Sequence, residues 1–183
     1  MKTFIRDVLD LMALNAKPIN YYPKYSIATS CLVVYILAVA FHVAMPVPAE
    51  SAITGFSFAV VVNFLVFIIA VLFLYLWLRN RKPEVKFSSL LSLSALASVI
   101  GILEVPLGLL YANYQLAILM VLEIVLLLYS SAIIVSALSK STNISIKFVL
   151  MGFFFCLLLV IFVSAIAHVV GVTTGVLLPP EKW

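Results

Sequence analysis

Two glutamates and two histidines stand inside long apolar stretches of this chain: Glu104, Glu123, His42 and His168. A carboxylate surrounded by hydrocarbon is costly, so ionisable groups within membrane spans generally face a protein interior, a partner or a water-filled cavity. Two carboxylates held close together share a proton and titrate apart, which suits a proton or cation relay. Two imidazoles with two carboxylates form a donor set for a divalent metal, and two histidines on separate helices can ligate a b-type haem. The plainer role is structural, with the acids hydrogen-bonded to Ser or Tyr across helices and the histidines lying near an interface. No histidine spacing repeats within a span, and no cofactor is expected as the leading reading.

The two acids occupy the legs of one hairpin: an apolar run over 87–110, a break at Tyr111-Ala112-Asn113-Tyr114, and a second run over 115–138. Each leg exceeds the about 20 residues that cross a bilayer core at about 1.5 Å each. Glu104 lies about 8 residues before the middle of the break and Glu123 about 10 after it, so an antiparallel pair sets both roughly 12 to 16 Å below one surface. On the first leg Ser94, Ala97, Ser98, Gly101 and Gly108 form a stripe of small residues, and on the second Glu123, Ser130 and Ala137 recur at seven. Small residues let a neighbouring helix approach closely. Pro106 removes the hydrogen bond to the carbonyl of Ile102 and predicts a kink beside Glu104.

Around this hairpin the rest of the chain is almost entirely membrane. Apolar residues make up 66% and charged residues 10% of 183, with a mean hydropathy of +1.28. That leaves no room for a separate aqueous domain. Five spans are expected, at about 27–45, 52–78, 87–110, 115–138 and 146–172, forming one all-α domain with a short tail over 173–183. The first, fourth and fifth spans carry His42, Glu123 and His168 respectively, each in the half of the membrane that also holds Glu104. Insertion tolerates the acids: the fourth span has fourteen Leu, Ile and Val, each favourable by about 0.3 to 0.6 kcal/mol against about 3 kcal/mol for one carboxylate.

Residues 1–17 read as an amphipathic helix. Phe4, Ile5, Val8, Leu9, Leu11 and Met12 fill one arc, while Lys2, Thr3, Arg6, Asp7, Asp10 and Lys17 fill the other. The apolar arc suits the membrane interface, although a partner's groove would use the same pattern. Pro18 and Pro23 end the helix and set Tyr21, Tyr22 and Tyr25 at headgroup level. Ten of the eleven basic residues fall before span one, between spans two and three, or between spans four and five. That segregation predicts a cytoplasmic N-terminus and a C-terminus across the membrane. It also accounts for the net charge of +4 without nucleic acid. Cys31 and Cys156 lie in apolar spans without metal spacing and read as core residues. Lys2, Arg6, Asp7 and Asp10 interrupt the start of the chain, so no cleavable signal peptide is expected.

The second half carries a resemblance. Lys86-Phe-Ser-Ser-Leu90, a small-residue span ending near a proline, a short turn, a leucine-rich span reading Leu128-Tyr-Ser-Ser-Ala132, and a last span from Ile146 together resemble the Yip family. These are five-span Ypt/Rab-interacting membrane proteins with bacterial relatives, and the likeness covers roughly 86–170. It implies a non-enzymatic accessory or membrane-organising protein that works through other membrane proteins, by partner contact or self-association. Two further readings come from the residues themselves: a small proton- or cation-coupled carrier using Glu104 and Glu123, and a cofactor- or metal-bearing subunit using His42 and His168. No nucleophile-base pair or phosphate loop points to an independent enzyme, although a non-catalytic subunit of an enzyme complex fits. The compact termini suggest a bacterial inner membrane.

Overall fold

The computed structural model describes residues 2–44, 47–114 and 117–179. The described residues form seven α-helices and two 3-10 turns: α1 Lys2–Met12, a turn at Ile19–Lys24, α2 Ile27–Ala44, α3 Ala52–Arg79, α4 Phe87–Ser98, a turn at Val99–Leu103, α5 Glu104–Tyr114, α6 Ala117–Thr142 and α7 Ile146–Thr173. Five stretches are long and apolar enough to cross a membrane: α2, α3, the third span from Phe87 to Leu107, α6 from Ile118, and α7. The chain is an all-helical membrane protein.

The third span is the centre of the bundle. Half of its most apolar window is buried, against 11 to 22% in the other spans. Every residue from Ser89 to Ala97 is buried, because α4 packs against α2, α3, α6, α1 and the Ile19–Lys24 turn. Serines make this close approach possible. Ser30 Oγ on α2 donates to Ser92 Oγ on α4 (3.0 Å), and the Ser92 hydroxyl reaches the carbonyls of Ser88 (2.9 Å) and Tyr25 (3.2 Å).

The third span is not one continuous helix. It tightens into a 3-10 turn over Val99–Leu103 and resumes at Glu104. Pro106 therefore falls in the first turn of α5, where its missing N–H has no helical partner to lose, and the break lies just ahead of it. The expected break at 111–114 is helical instead, since α5 continues through Tyr114, and α6 begins at Ala117. Gln115 and Leu116 lie outside the described residues, as do Pro180, Glu181, Lys182 and Trp183 of the tail.

The N-terminal helix is shorter than the expected 1–17. It stops at Met12, and Leu14 takes a left-handed conformation with φ 58°. The N–H of Asn15 bonds to Asp10 O (2.7 Å) and that of Leu14 to Leu11 O (2.9 Å), a Schellman ending that satisfies the last carbonyls. Two side chains of α6 complete the cap: Tyr129 Oη donates to Met12 O (2.7 Å) and Lys140 Nζ to Leu14 O (2.7 Å). A cation at a helix C-terminus is favoured by the dipole. The other end of α7 closes similarly at Gly175, φ 73°, and the tail folds back so that Leu178 N–H reaches Pro48 O (3.1 Å).

The larger helices lock through an aromatic contact at the basic end. Trp77 of α3 donates its Nε1–H to Phe148 O (3.1 Å) and stacks on the Phe148 ring at 5.0 Å. A Cβ on Gly152 would stand 2.4 Å from the Trp77 indole, so α7 needs glycine where α3 crosses it.

Candidate functional site

Glu104 and the two histidines line two separate cavities, and Asn63 of α3 lines both. One cavity, of about 240 Å³, holds Glu104 with Ser98, Gly101 and the apolar Val34, Phe41 and Phe67. It lies between α2, α3 and the broken third span, and Glu104 follows directly on the 3-10 turn. The carboxylate sits at the N-terminus of α5, where the helix dipole favours negative charge.

The second cavity, of about 360 Å³, holds His42, Asn63, Ser164 and His168 among apolar walls that include Phe58, Val62 and the tail residue Leu177. The two histidines, on spans one and five, are thus brought to one place. Asn63 Nδ2 stands 3.5 Å from His42 Nε2, and Phe41 meets the His42 ring edge-on at 5.3 Å. Leu177 is buried against Gly171 and Phe58, which seats the tail as one wall.

No family model matches the chain, and no curated protein or solved structure matches it.

The four ionisable residues do not gather into one centre. Glu104 and Glu123 are close enough for their charges to interact, as expected for the packed legs α5 and α6. The histidines line the other cavity. Among the described residues no three His, Cys, Asp or Glu side chains stand together as a metal site. Glu123 is half-buried and lines neither cavity described above. Around it Val121, Leu122, Ile124 and Val125 are exposed. The seam below it closes progressively, through half-buried Ser130 to buried Ala137. Of the stripe on the third span, Ser94 and Ala97 are buried, Ser98 and Gly101 half-buried, and Gly108 lies outside the described side chains.

A second polar cluster sits outside the spans, where the sequence shows only a polar helix face. Asp7 is 2% exposed. Its carboxylate accepts from Lys17 Nζ (2.7 Å), Lys24 Nζ (2.5 Å), Tyr25 Oη (2.6 Å) and Tyr21 Oη (3.0 Å). Burial alone would raise its pKa, but the four donors outweigh it and hold the carboxyl well below the ordinary range. The hydrogen bond to Asp7, with a second to Asp10, raises the Lys17 pKa, and burial followed by the bond to Asp7 pushes the Tyr25 phenol to about 12. The polar arc of α1 is therefore partly covered: the segment after α1 folds back over Asp7. Of the three tyrosines expected at headgroup level, one is buried. Tyr22 is 1% exposed and its oxygen accepts from Lys17 N–H (3.1 Å), while Tyr21 and Tyr25 serve Asp7.

The apolar arc of α1 is likewise shared. Val8 and Leu11 are buried in the bundle's core, with Phe4 and Met12 packed against it. Ile5 and Leu9 face outward, 49% and 56% exposed.

Proposed function

We propose that this chain is a non-enzymatic accessory protein of a membrane assembly, and that the outer half of the α5–α6 hairpin is its contact surface. One observation carries the reading. Glu123 is the sole charged residue on the outer half of α6, where the large apolar side chains around it, from Ile118 to Leu128, are mainly exposed, whereas Ile133 to Leu138 of the same helix are packed. Exposed Leu and Ile suit lipid, but a half-exposed carboxyl among them calls for polar cover from a neighbouring helix. The membrane-organising role that the Yip resemblance implies agrees with this. Cysteines placed at Met120 and Leu127 in native membranes should cross-link to another membrane protein or a second copy. Cross-linking that Glu123→Gln leaves unaltered, or none at all, would refute the reading.

The segregation of basic residues supports a cytoplasmic N-terminus in a bacterial inner membrane. In that orientation α1 lies in the interface, with Ile5 and Leu9 in the acyl region.

The cavity beside Glu104 favours a second reading, a proton- or cation-coupled carrier. Asn63, Glu104 and Glu123 then supply the polar groups at mid-membrane. Proteoliposomes loaded with a pH-sensitive dye should lose proton-linked flux on Glu104→Gln; equal flux removes this reading and leaves the first intact.

A further inference from the structure

The geometry points to the His42–His168 cavity as a binding site for a neutral lipid-phase molecule with a flat carbonyl-bearing head, the quinone class. This inference rests on neither reading above, because it uses a different cavity and different residues.

Charge narrows the ligand first. Among the described residues the walls hold two imidazoles, an amide and a hydroxyl, and no carboxylate, lysine or arginine. Nothing there would neutralise a cation, and no fixed positive charge would hold a phosphate. A neutral ligand fits.

The placement of the polar groups narrows it further. His42 and Asn63 come from α2 and α3. Ser164 and His168 come from α7 and, four residues apart, share one helical face. Imidazole, amide and hydroxyl groups thus line the cavity from separate helices. A head with carbonyl oxygens on two sides can accept from both sets at once, and a site that hydrogen-bonds its ligand discriminates against one lacking those acceptors. Between the donors the walls are apolar, with the Phe58 ring available to a planar head.

Size agrees. A volume of about 360 Å³ falls in the range of about 300 to 1,000 Å³ typical of small-molecule sites. That suffices for a substituted ring but not for a folded peptide. Exit is available as well, since Val61, Leu65 and Ile161, on the helices forming the cavity, are exposed and would face lipid, where an alkyl tail can lie. At the outer end the folded-back tail closes the cavity through Leu177.

The test uses full-length protein in lipid nanodiscs and a decyl-substituted benzoquinone as probe, with binding read by calorimetry. Saturable binding is expected. A decylbenzene of equal chain length should bind at least tenfold more weakly, because it offers no carbonyl. His42→Leu and His168→Leu should each weaken quinone binding about tenfold or more. Ser164→Phe, at an exposed position that need not disturb the fold, should fill the cavity and abolish binding with the melting temperature unchanged. It decides the matter if a histidine variant fails to fold. Absence of saturable binding overturns the assignment, as does equal binding of decylbenzene, or binding unaffected by Ser164→Phe.

Discussion

Replacing Asp7 with Asn should release α1 from the bundle without unfolding the spans. The carboxylate is 2% exposed and receives four donors, two of them ammonium groups. Removing one member of a buried ion pair generally costs about 3 to 5 kcal/mol. Lys17 and Lys24 keep 28% and 30% exposure, so water recovers part of that cost. A loss of about 2 to 4 kcal/mol in α1 docking follows, which is roughly 30- to 900-fold in the opening equilibrium. Because α1 holds few of the bundle's contacts, the loss should appear as local opening. Amide hydrogen exchange over residues 3–12 should accelerate by that factor, while exchange in α3 and α7 stays unchanged. Asp10→Asn is the control: that carboxylate is 35% exposed and meets Lys17 at 3.0 Å, so its effect should stay under about 1 kcal/mol. The pH dependence follows the same groups. Asp7 has a pKa below its ordinary 3.8, so its contribution is complete above that value and is lost as pH falls toward the depressed one. Tyr25 has a pKa raised from 10.0 to about 12, so its contribution is complete below the former and lost as pH climbs through the latter. Asp7 makes docking weaken as pH falls below about 4, and Tyr25 makes it weaken as pH climbs past about 10. Unchanged exchange of α1 in Asp7→Asn would refute the latch.

Two further substitutions probe the contacts between spans. Gly152→Ala places a methyl 2.4 Å from the Trp77 indole, which cannot retreat without leaving Phe148. A destabilisation of about 1 to 3 kcal/mol is expected, visible as a lower melting temperature in detergent and as altered Trp fluorescence. Ser92→Ala removes the hydroxyl that joins Ser30 to Tyr25 O and should cost about 1 kcal/mol. In a Ser30→Ala background the same change should cost measurably less, because the two hydroxyls share one bond.

The spans were legible because a run of about 20 apolar residues has only one good solution in a bilayer. The small-residue stripe and Pro106 together foretold a close-packed, interrupted third span, and α4 and the turn at Val99–Leu103 have that form. What the sequence did not reveal is what lies over a given helix face. Periodicity put Asp7 on the polar side of α1, but nothing in the pattern told that Lys17, Tyr21, Lys24 and Tyr25 would fold back onto that side. Rotation was equally hidden: α2 and α7 are apolar all round, so no stripe indicated that His42 and His168 share a cavity. Asn63 passed unnoticed for a simpler reason. One amide among the apolar residues of α3 costs little to insert, yet it is the only carboxamide between Ala52 and Arg79, and that rarity was the available signal.

Asn63 also explains why the buried polar groups remain separate. An amide can donate and accept at once, so its two ends can serve two unlike environments without carrying charge between them. On one side it lines the cavity of Glu104. On the other it stands beside His42 in a cavity without a carboxylate. An Asp at this position would put a carboxyl on the wall of both cavities. An Ala would break the polar continuity altogether. The neutral amide lets α3 wall both cavities without adding a charge to either.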